Sequence, residues 1–304
     1  MKIQFLLILA ASFFQLTPSF AQSNASGSNR TYAGVITELN AIVAANPANA
    51  KLITIGDSDS GQKIIGLQVG NGPIHNLVVG THHGNEYGAT ETTLAFAKDV
   101  ASNPIANQTV FVIPVLNIGG YNTKTRTEMD GHHKVFDPNR NYPSPCGTEG
   151  PFTLKDTAAL DQFVSGNNII ASATLHTFSP AVTYPWGYAT SDLTTGYESI
   201  FKSMVAAATT ESHYATGNTT QLIYPANGSF EDYAFEQYGI WSLLFEIGDT
   251  HTPDAAQTAE LIKVNVPGLR AMLEAAPTTR AANHTFTGKC DHSARTHKLD
   301  RHDE

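Results

Sequence analysis

The run Val110–Leu116, VFVIPVL, is apolar at every position. A continuous apolar stretch this short is a strand buried in the interior. Asn76–Gly80, Ile169–Leu175 and Ser242–Phe245 read the same way. Two further β-rich runs, Leu52–Ile55 and Ile64–Val69, flank the turn residues Asp57–Gly61. Helical periodicity separates these strands. Tyr32–Ala45 places Val35, Ile36, Leu39, Ile42 and Val43 on one face, and Ala89–Val100, Thr157–Phe163, Tyr197–Ala208 and Ala255–Leu273 follow. Strands alternating with helices predict an α/β domain with a mixed, mostly buried central sheet flanked by helices. Connection lengths vary, which argues against a regular barrel, and Asn117–Gly150 is a long Gly/Asn/Pro-rich stretch without periodicity. Loops of that length inside a domain are usually functional.

Charged residues make up 15% of the 304, too few for a disordered chain. The formal charge of −9 excludes the basic face of a nucleic-acid binder. At the N-terminus, Lys2 precedes an apolar stretch from Ile3 to Phe14 and the small residues Ser19 and Ala21. That order predicts a signal peptide over 1–21, cleaved before Gln22. A linker over 22–31, a folded domain over 32–276 and a polar tail over 277–304 complete the expected organisation. No later segment is long and apolar enough to span a bilayer, so the expected product is a soluble, secreted or periplasmic monomer. The two cysteines, Cys146 and Cys290, can bridge in an oxidising compartment, although spacing does not pair them. The tail also carries His292, His297 and His302, the ordinary composition of a solvated end.

Chemistry concentrates where strands end. Val78–Glu91, VVGTHHGNEYGATE, runs from a strand into His82, His83 and Glu86. Ser172–Leu175 runs into His176, and Ser242–Phe245 ends at Glu246. Ligands of open α/β sheets bind at such ends, and a charge at the lip of a core needs a partner or a metal. Two histidines and a carboxylate with one open position make a catalytic zinc site. His83 is three residues from Glu86 and His82 is four, so spacing alone does not choose between them. His176 is the best-placed distant ligand, and Glu246 the base for an attacking water.

With these residues in place, the chain resembles the zinc metallocarboxypeptidases of the carboxypeptidase A type, in order from about Tyr32 to Leu273. The opening GDSDSGQKI resembles an early strand pair of that family. His83-Gly84-Asn85-Glu86 matches its metal-binding His-x-x-Glu segment, Leu175-His176-Thr177 its third ligand, and Phe245-Glu246 its catalytic glutamate. Asp137-Pro138-Asn139-Arg140-Asn141, followed by Pro151-Phe152-Thr153, resembles the segment that grips a terminal carboxylate. Tyr184-Pro185-Trp186-Gly187 resembles the strand beyond the third ligand.

The resemblance implies one zinc ion on His83, Glu86 and His176, Glu246 as base, and Asn139 with Arg140 as the carboxylate anchor. A planar guanidinium suits a carboxylate. Arg126 is implied as the group that polarises the scissile carbonyl, from a loop shorter than the family's. Tyr224, in Ile223–Gly228, is implied as the residue that closes over substrate. Glu231 falls seven positions later, where the family sets its side-chain pocket, and an acid there favours basic C-terminal residues. Glu231 also reads as a first-turn carboxylate of a helix beginning near Ser229. The expected partners are peptide or protein C-termini. Only about ten residues separate Ala21 from the first helix, so activity without an inhibitory pro-segment is expected. Two rival readings remain. One is a murein peptidase acting at γ-D-glutamyl-diaminopimelate bonds, and the other is a non-catalytic protein that binds C-termini.

Overall fold

A computed structural model describes residues 30–191 and 193–291. The leader, most of the linker and the tail residues His292, His297 and His302 lie outside the described residues. In chain order the elements are α1 (Tyr32–Ala45), β1 (Ala50–Asp57), β2 (Lys63–Gly70), β3 (Ile74–Gly80), α2 (Tyr87–Ser102), β4 (Gln108–Ile113), α3 (Ile118–Thr123), β5 (Glu128–Met129) and β6 (Val135–Phe136). After a 3-10 turn at Pro138–Arg140 come α4 (Lys155–Gly166), β7 (Ile169–His176), β8 (Ala181–Tyr184), α5 (Glu198–Ala208), β9 (Ala215–Asn218), α6 (Thr219–Leu222), α7 (Phe230–Tyr238), β10 (Trp241–Glu246) and α8 (Ala255–Ala275).

Eight strands form one mixed sheet in the order β1-β2-β4-β3-β7-β10-β8-β9. The central strands β4, β3, β7 and β10 run parallel. β7 is buried along its whole length and β3 at all but its first two residues, as expected for strands covered on both faces. Helices α2 and α8 pack together, and α8 also meets α5. The start of α8 is fixed by Asp254, whose Oδ1 accepts from Gln257 N at 2.8 Å while the Gln257 side chain accepts from Asp254 N.

Register carries this architecture to the site. β3, β7 and β10 are neighbours, with Gly80 opposite Leu175 and His176 opposite Glu246. The three polar strand ends therefore emerge side by side. Asn76 maintains the alignment where the β3–β7 ladder slips: its Oδ1 accepts from Ala171 N at 3.0 Å and its Nδ2 donates to Gln108 at 2.8 Å.

Four expectations change. The strand read over Val110–Leu116 ends at Ile113, because Pro114 has no N–H for the ladder. The stretch Asn117–Gly150 contains α3, the β5–β6 hairpin and the 3-10 turn. Side-chain caps hold these pieces in place of apolar periodicity: Asn117 Oδ1 accepts from Gly120 N, Glu128 Oε2 from Gly119 N, and Asp130 Oδ1 from the amides of His132 and Lys134. The strand expected over Tyr184–Gly187 lies earlier, at Ala181–Tyr184. The tail does not leave the fold at 277: Ala281 and Phe286 are buried, and Cys290 is bonded to Cys146.

Candidate active site

Thr81 turns the end of β3 with a positive φ of 60°, and the chain then presents His82, His83 and Glu86 before entering α2. Gly84 is required at this crossing. A Cβ there would lie 2.0 Å from the Gly120 carbonyl carbon and 2.2 Å from Tyr121 N, which are backbone atoms that cannot yield.

His83, Glu86 and His176 are buried, and one ligand atom from each lies within 4.8 Å of the others. His83 Nδ1 is 2.7 Å from Glu86 Oε1 and 3.1 Å from His176 Nδ1, and His176 Nδ1 is 3.1 Å from Glu86 Oε2. Two imidazole nitrogens facing each other beside a carboxylate suit a shared cation. Two nitrogens and one oxygen also form a donor set that zinc accepts. The residues present therefore fit the expected metal. His82 turns away. Its Nε2 meets the Tyr142 hydroxyl at 3.1 Å, and its ring stacks on His176 at 5.6 Å. Burial and the two neighbouring imidazoles keep His82 neutral.

A second layer holds this triad. Asp137 Oδ1 is 3.0 Å from His83 Nε2 and also accepts from Asn139 N at 2.8 Å. Its Oδ2 accepts from Arg126 Nε at 3.0 Å. Burial opposes the charge of Asp137, but Arg126 and His83 outweigh it and hold the carboxyl well below its ordinary range. The same competition holds Glu86 low, with burial overcome by His83 and His176. Thr177 N adds a donor to Glu86 Oε2 at 3.2 Å.

Glu246 behaves oppositely. Burial, reinforced by the charge of Glu86 and opposed by Arg126, pushes its carboxyl well above the usual value. Its Oε2 is buried and has no hydrogen-bond partner among the described residues. An acceptor with a raised pKa beside a candidate metal site is suited to taking up a proton.

The other expected residues surround this centre. Arg126 Nη1 is 3.8 Å from Glu86 Oε1. Asn139 Oδ1 accepts from Phe230 N at 2.8 Å, and its Nδ2 faces His176 Nε2 at 3.4 Å. Arg140 donates from Nη1 to Asn139 O at 2.6 Å and from Nη2 to the Tyr224 hydroxyl at 3.1 Å. Tyr224 stands in a loop and is 42% exposed. Glu231 stands where its helix-start reading places it. It lies in the first turn of α7, and it is buried against Thr174 with Oε1 4.0 Å from His176 Nε2.

Residue-type reasoning gave no role to Asp137, Thr174 or Thr177. Only Asp137 carried a signal, as an Asp-Pro pair opening a turn. Thr174 and Thr177 look like ordinary β-formers in a line of sequence.

A family model described as zinc carboxypeptidase, of the peptidase M14 type, matches residues 35–267. The chain belongs to the zinc carboxypeptidase family. It is 28% identical to human carboxypeptidase B over 253 residues, covering 69% of this chain and 60% of that protein. It therefore spans less than two thirds of that relative's length. Carboxypeptidase B of the crayfish Astacus astacus is 27% identical over 254 residues, covering 70% of this chain and 84% of that one. Bovine thrombin-activatable fibrinolysis inhibitor, solved in complex with tick carboxypeptidase inhibitor, superposes with a TM-score of 0.74 at 18% identity, covering 83% of this chain and 98% of that one. That likeness concerns the fold.

Proposed function

We propose that this protein is an exported zinc carboxypeptidase that removes single residues from the C-termini of peptides and proteins. The observation that carries the reading is the convergence of the His83, Glu86 and His176 donors beside Glu246, with the Asn139–Arg140 pair adjoining them. Membership of the zinc carboxypeptidase family supports it.

His83, Glu86 and His176 would hold one zinc ion, which when bound would supply Lewis acidity to the carbonyl and to water. Arg140 and Asn139 take the terminal carboxylate, Arg140 exchanging its bond to Tyr224 for the substrate. Tyr224, released, closes over the bound peptide. Arg126, oriented by Asp137, faces the oxygen that becomes negative. Glu246 accepts a proton from the attacking water and returns it to the leaving amine. Its raised pKa fits a group that must both take and give that proton.

Glu231 supplies an acid beneath the anchor and favours Lys or Arg at the substrate's end. A buried carboxylate selects strongly for a cation that can pair with it. Export agrees with the Cys146–Cys290 bridge, which persists in an oxidising compartment.

The test is mass spectrometry of a synthetic peptide library, varied at its last residue and incubated with the zinc-loaded protein. Loss of one C-terminal residue at a time, fastest after Lys or Arg, supports the whole reading. Loss without that preference removes the role of Glu231. An untouched library, with murein peptides cleaved under the same conditions, would replace the reading with the cell-wall one.

A further inference from the structure

The segment after α8 has no regular structure, yet it is tied down at nearly every step. Thr279 O accepts from Trp241 Nε1 at 2.8 Å, Arg280 Nε donates to Ile169 O at 2.7 Å, and Ala281 N donates to Gly239 O at 2.8 Å. Ile169 and Trp241 are the first residues of β7 and β10, so this part lies at the end of the sheet away from the site. The chain then climbs. The amides of Ala282 and Asn283 donate to the Tyr197 hydroxyl at 3.2 and 3.1 Å, and His284 Nδ1 meets Glu236 O at 2.6 Å. Phe286 buries its ring edge-on against Trp186 and Tyr188, each 5.4 Å away.

The far end reaches the segments that build the substrate side. Asp291 accepts from Thr190 N, Thr190 Oγ1 and Ser191 Oγ, each at 2.7 Å. Cys290 is bonded to Cys146, in the loop that follows Arg140. That loop and its neighbours interlock. Tyr142 N donates to Gly228 O at 3.1 Å, and Ala226 N donates to Gly187 O at 2.6 Å. Gly187 N in turn donates to Asp232 Oδ2 at 2.7 Å, one residue from Glu231. Gly228 sits so close to Arg140 that a Cβ would lie 2.7 Å from the Arg140 carbonyl oxygen, and its φ of 83° favours glycine as well.

We propose that residues 279–291 form a positioning strap for the carboxylate-binding end of the site, with Phe286 and Cys290 as its positioning residues. The strap fastens the 185–191 segment through Phe286 and Asp291, and the Arg140 loop through the bridge. It thereby fixes the distance between the anchor that holds the terminal carboxylate and the pocket that takes the last side chain. His83, Glu86 and His176 meet the clamped region through Asp137 and Asn139 rather than through the strap itself, so the proposed effect falls on substrate positioning rather than on metal content. A bridge that only stabilises the chain would instead act through the unfolded state and leave substrate binding unchanged. The proposal rests on the carboxypeptidase reading for its kinetic consequence, though not for its structural one.

Two variants test it, Cys146→Ser with Cys290→Ser together, and Phe286→Ala with the bridge intact. Each is assayed well below its melting temperature with a free-acid peptide and followed by hydrogen-exchange mass spectrometry. In both, KM is expected to rise about tenfold while kcat stays within about twofold, the signature of lost ground-state positioning. Zinc content is expected to stay at the wild-type level, and exchange to rise over residues 139–150 and 187–191. A lowered melting temperature with unchanged KM and unchanged exchange in those segments would overturn the strap. Should the double-serine protein fail to fold, Phe286→Ala carries the same two readouts. Should the wild type cleave no C-terminus, the carboxypeptidase reading falls, and exchange alone still decides whether the strap orders these loops.

Discussion

Asp137 Oδ1 lies 3.0 Å from Nε2 of His83, and this pair decides which face of the imidazole looks inward. With Nε2 donating to the carboxylate, Nδ1 keeps its lone pair and points at Glu86 and His176. The same oxygen caps Asn139 N, so one side chain orients both a candidate metal ligand and the start of the proposed anchor.

Asp137→Asn is therefore expected to weaken zinc binding about 10–100-fold, the usual cost of losing an outer-shell partner. Competition with a chromogenic chelator measures it. An unchanged affinity would show that His83 needs no such orientation.

Glu246→Gln is expected to bind zinc as the wild type does and to lose roughly 100–10,000-fold in kcat, the range for a general base. The amide fills the same volume without accepting the proton. Metal analysis and steady-state kinetics on one preparation check both halves. A zinc-loaded variant turning over near the wild-type rate would remove Glu246 from the chemistry.

Arg140→Lys keeps the charge and loses the planar fork. We expect kcat/KM on free-acid peptides to fall about 10–100-fold, which corresponds to a charge-assisted hydrogen bond of about 1.5–3 kcal/mol. Most of the loss should appear in KM. An equal kcat/KM in wild type and variant would move the carboxylate anchor elsewhere.

Much of this site was legible because its residues interrupt apolar runs. His176 and Glu246 close the largely apolar runs IIASATL and WSLLF, and parallel register then makes them neighbours. Periodicity also located the long helices, since α1, α2, α5 and α8 each bury an apolar face. What stayed hidden depends on contacts between distant residues. Spacing alone leaves His82 and His83 equivalent; the family resemblance picks His83, and the physical basis of the difference, the Tyr142 hydroxyl on His82 and the Asp137 carboxylate on His83, is visible only in three dimensions. The segment after α8 reads as a tail because its anchors are backbone groups and single side chains, which leave no pattern. Pairing of Cys146 with Cys290 spans 144 residues and follows from that path alone.

Asp156 gives a pH dependence away from the metal ligands. It is fully buried in the first turn of α4, where Oδ1 accepts from Thr157 N at 2.7 Å and Oδ2 has no partner among the described residues. Burial, with the charge of Glu128, pushes its carboxyl well above the ordinary value. The folded state thus keeps a proton that the unfolded state releases at the usual carboxylate pKa. Unfolding is favoured progressively as pH rises through that window, and the loss ends only above the folded pKa. Asp156→Asn mimics the protonated form. Its melting temperature is expected to match the wild type near pH 4 and to exceed it increasingly by about pH 7 to 8. Parallel curves for the two proteins would show that Asp156 ionises without cost in the fold.

The most direct test uses two peptides of identical sequence ending in lysine, one a free acid and the other a C-terminal amide. Each is incubated with protein shown to carry one zinc per chain and is followed by mass spectrometry. The account predicts loss of the terminal lysine from the acid alone, because it assigns Arg140 and Asn139 to a terminal carboxylate. Cleavage of both peptides at an internal bond, or of neither with zinc fully bound, would contradict it.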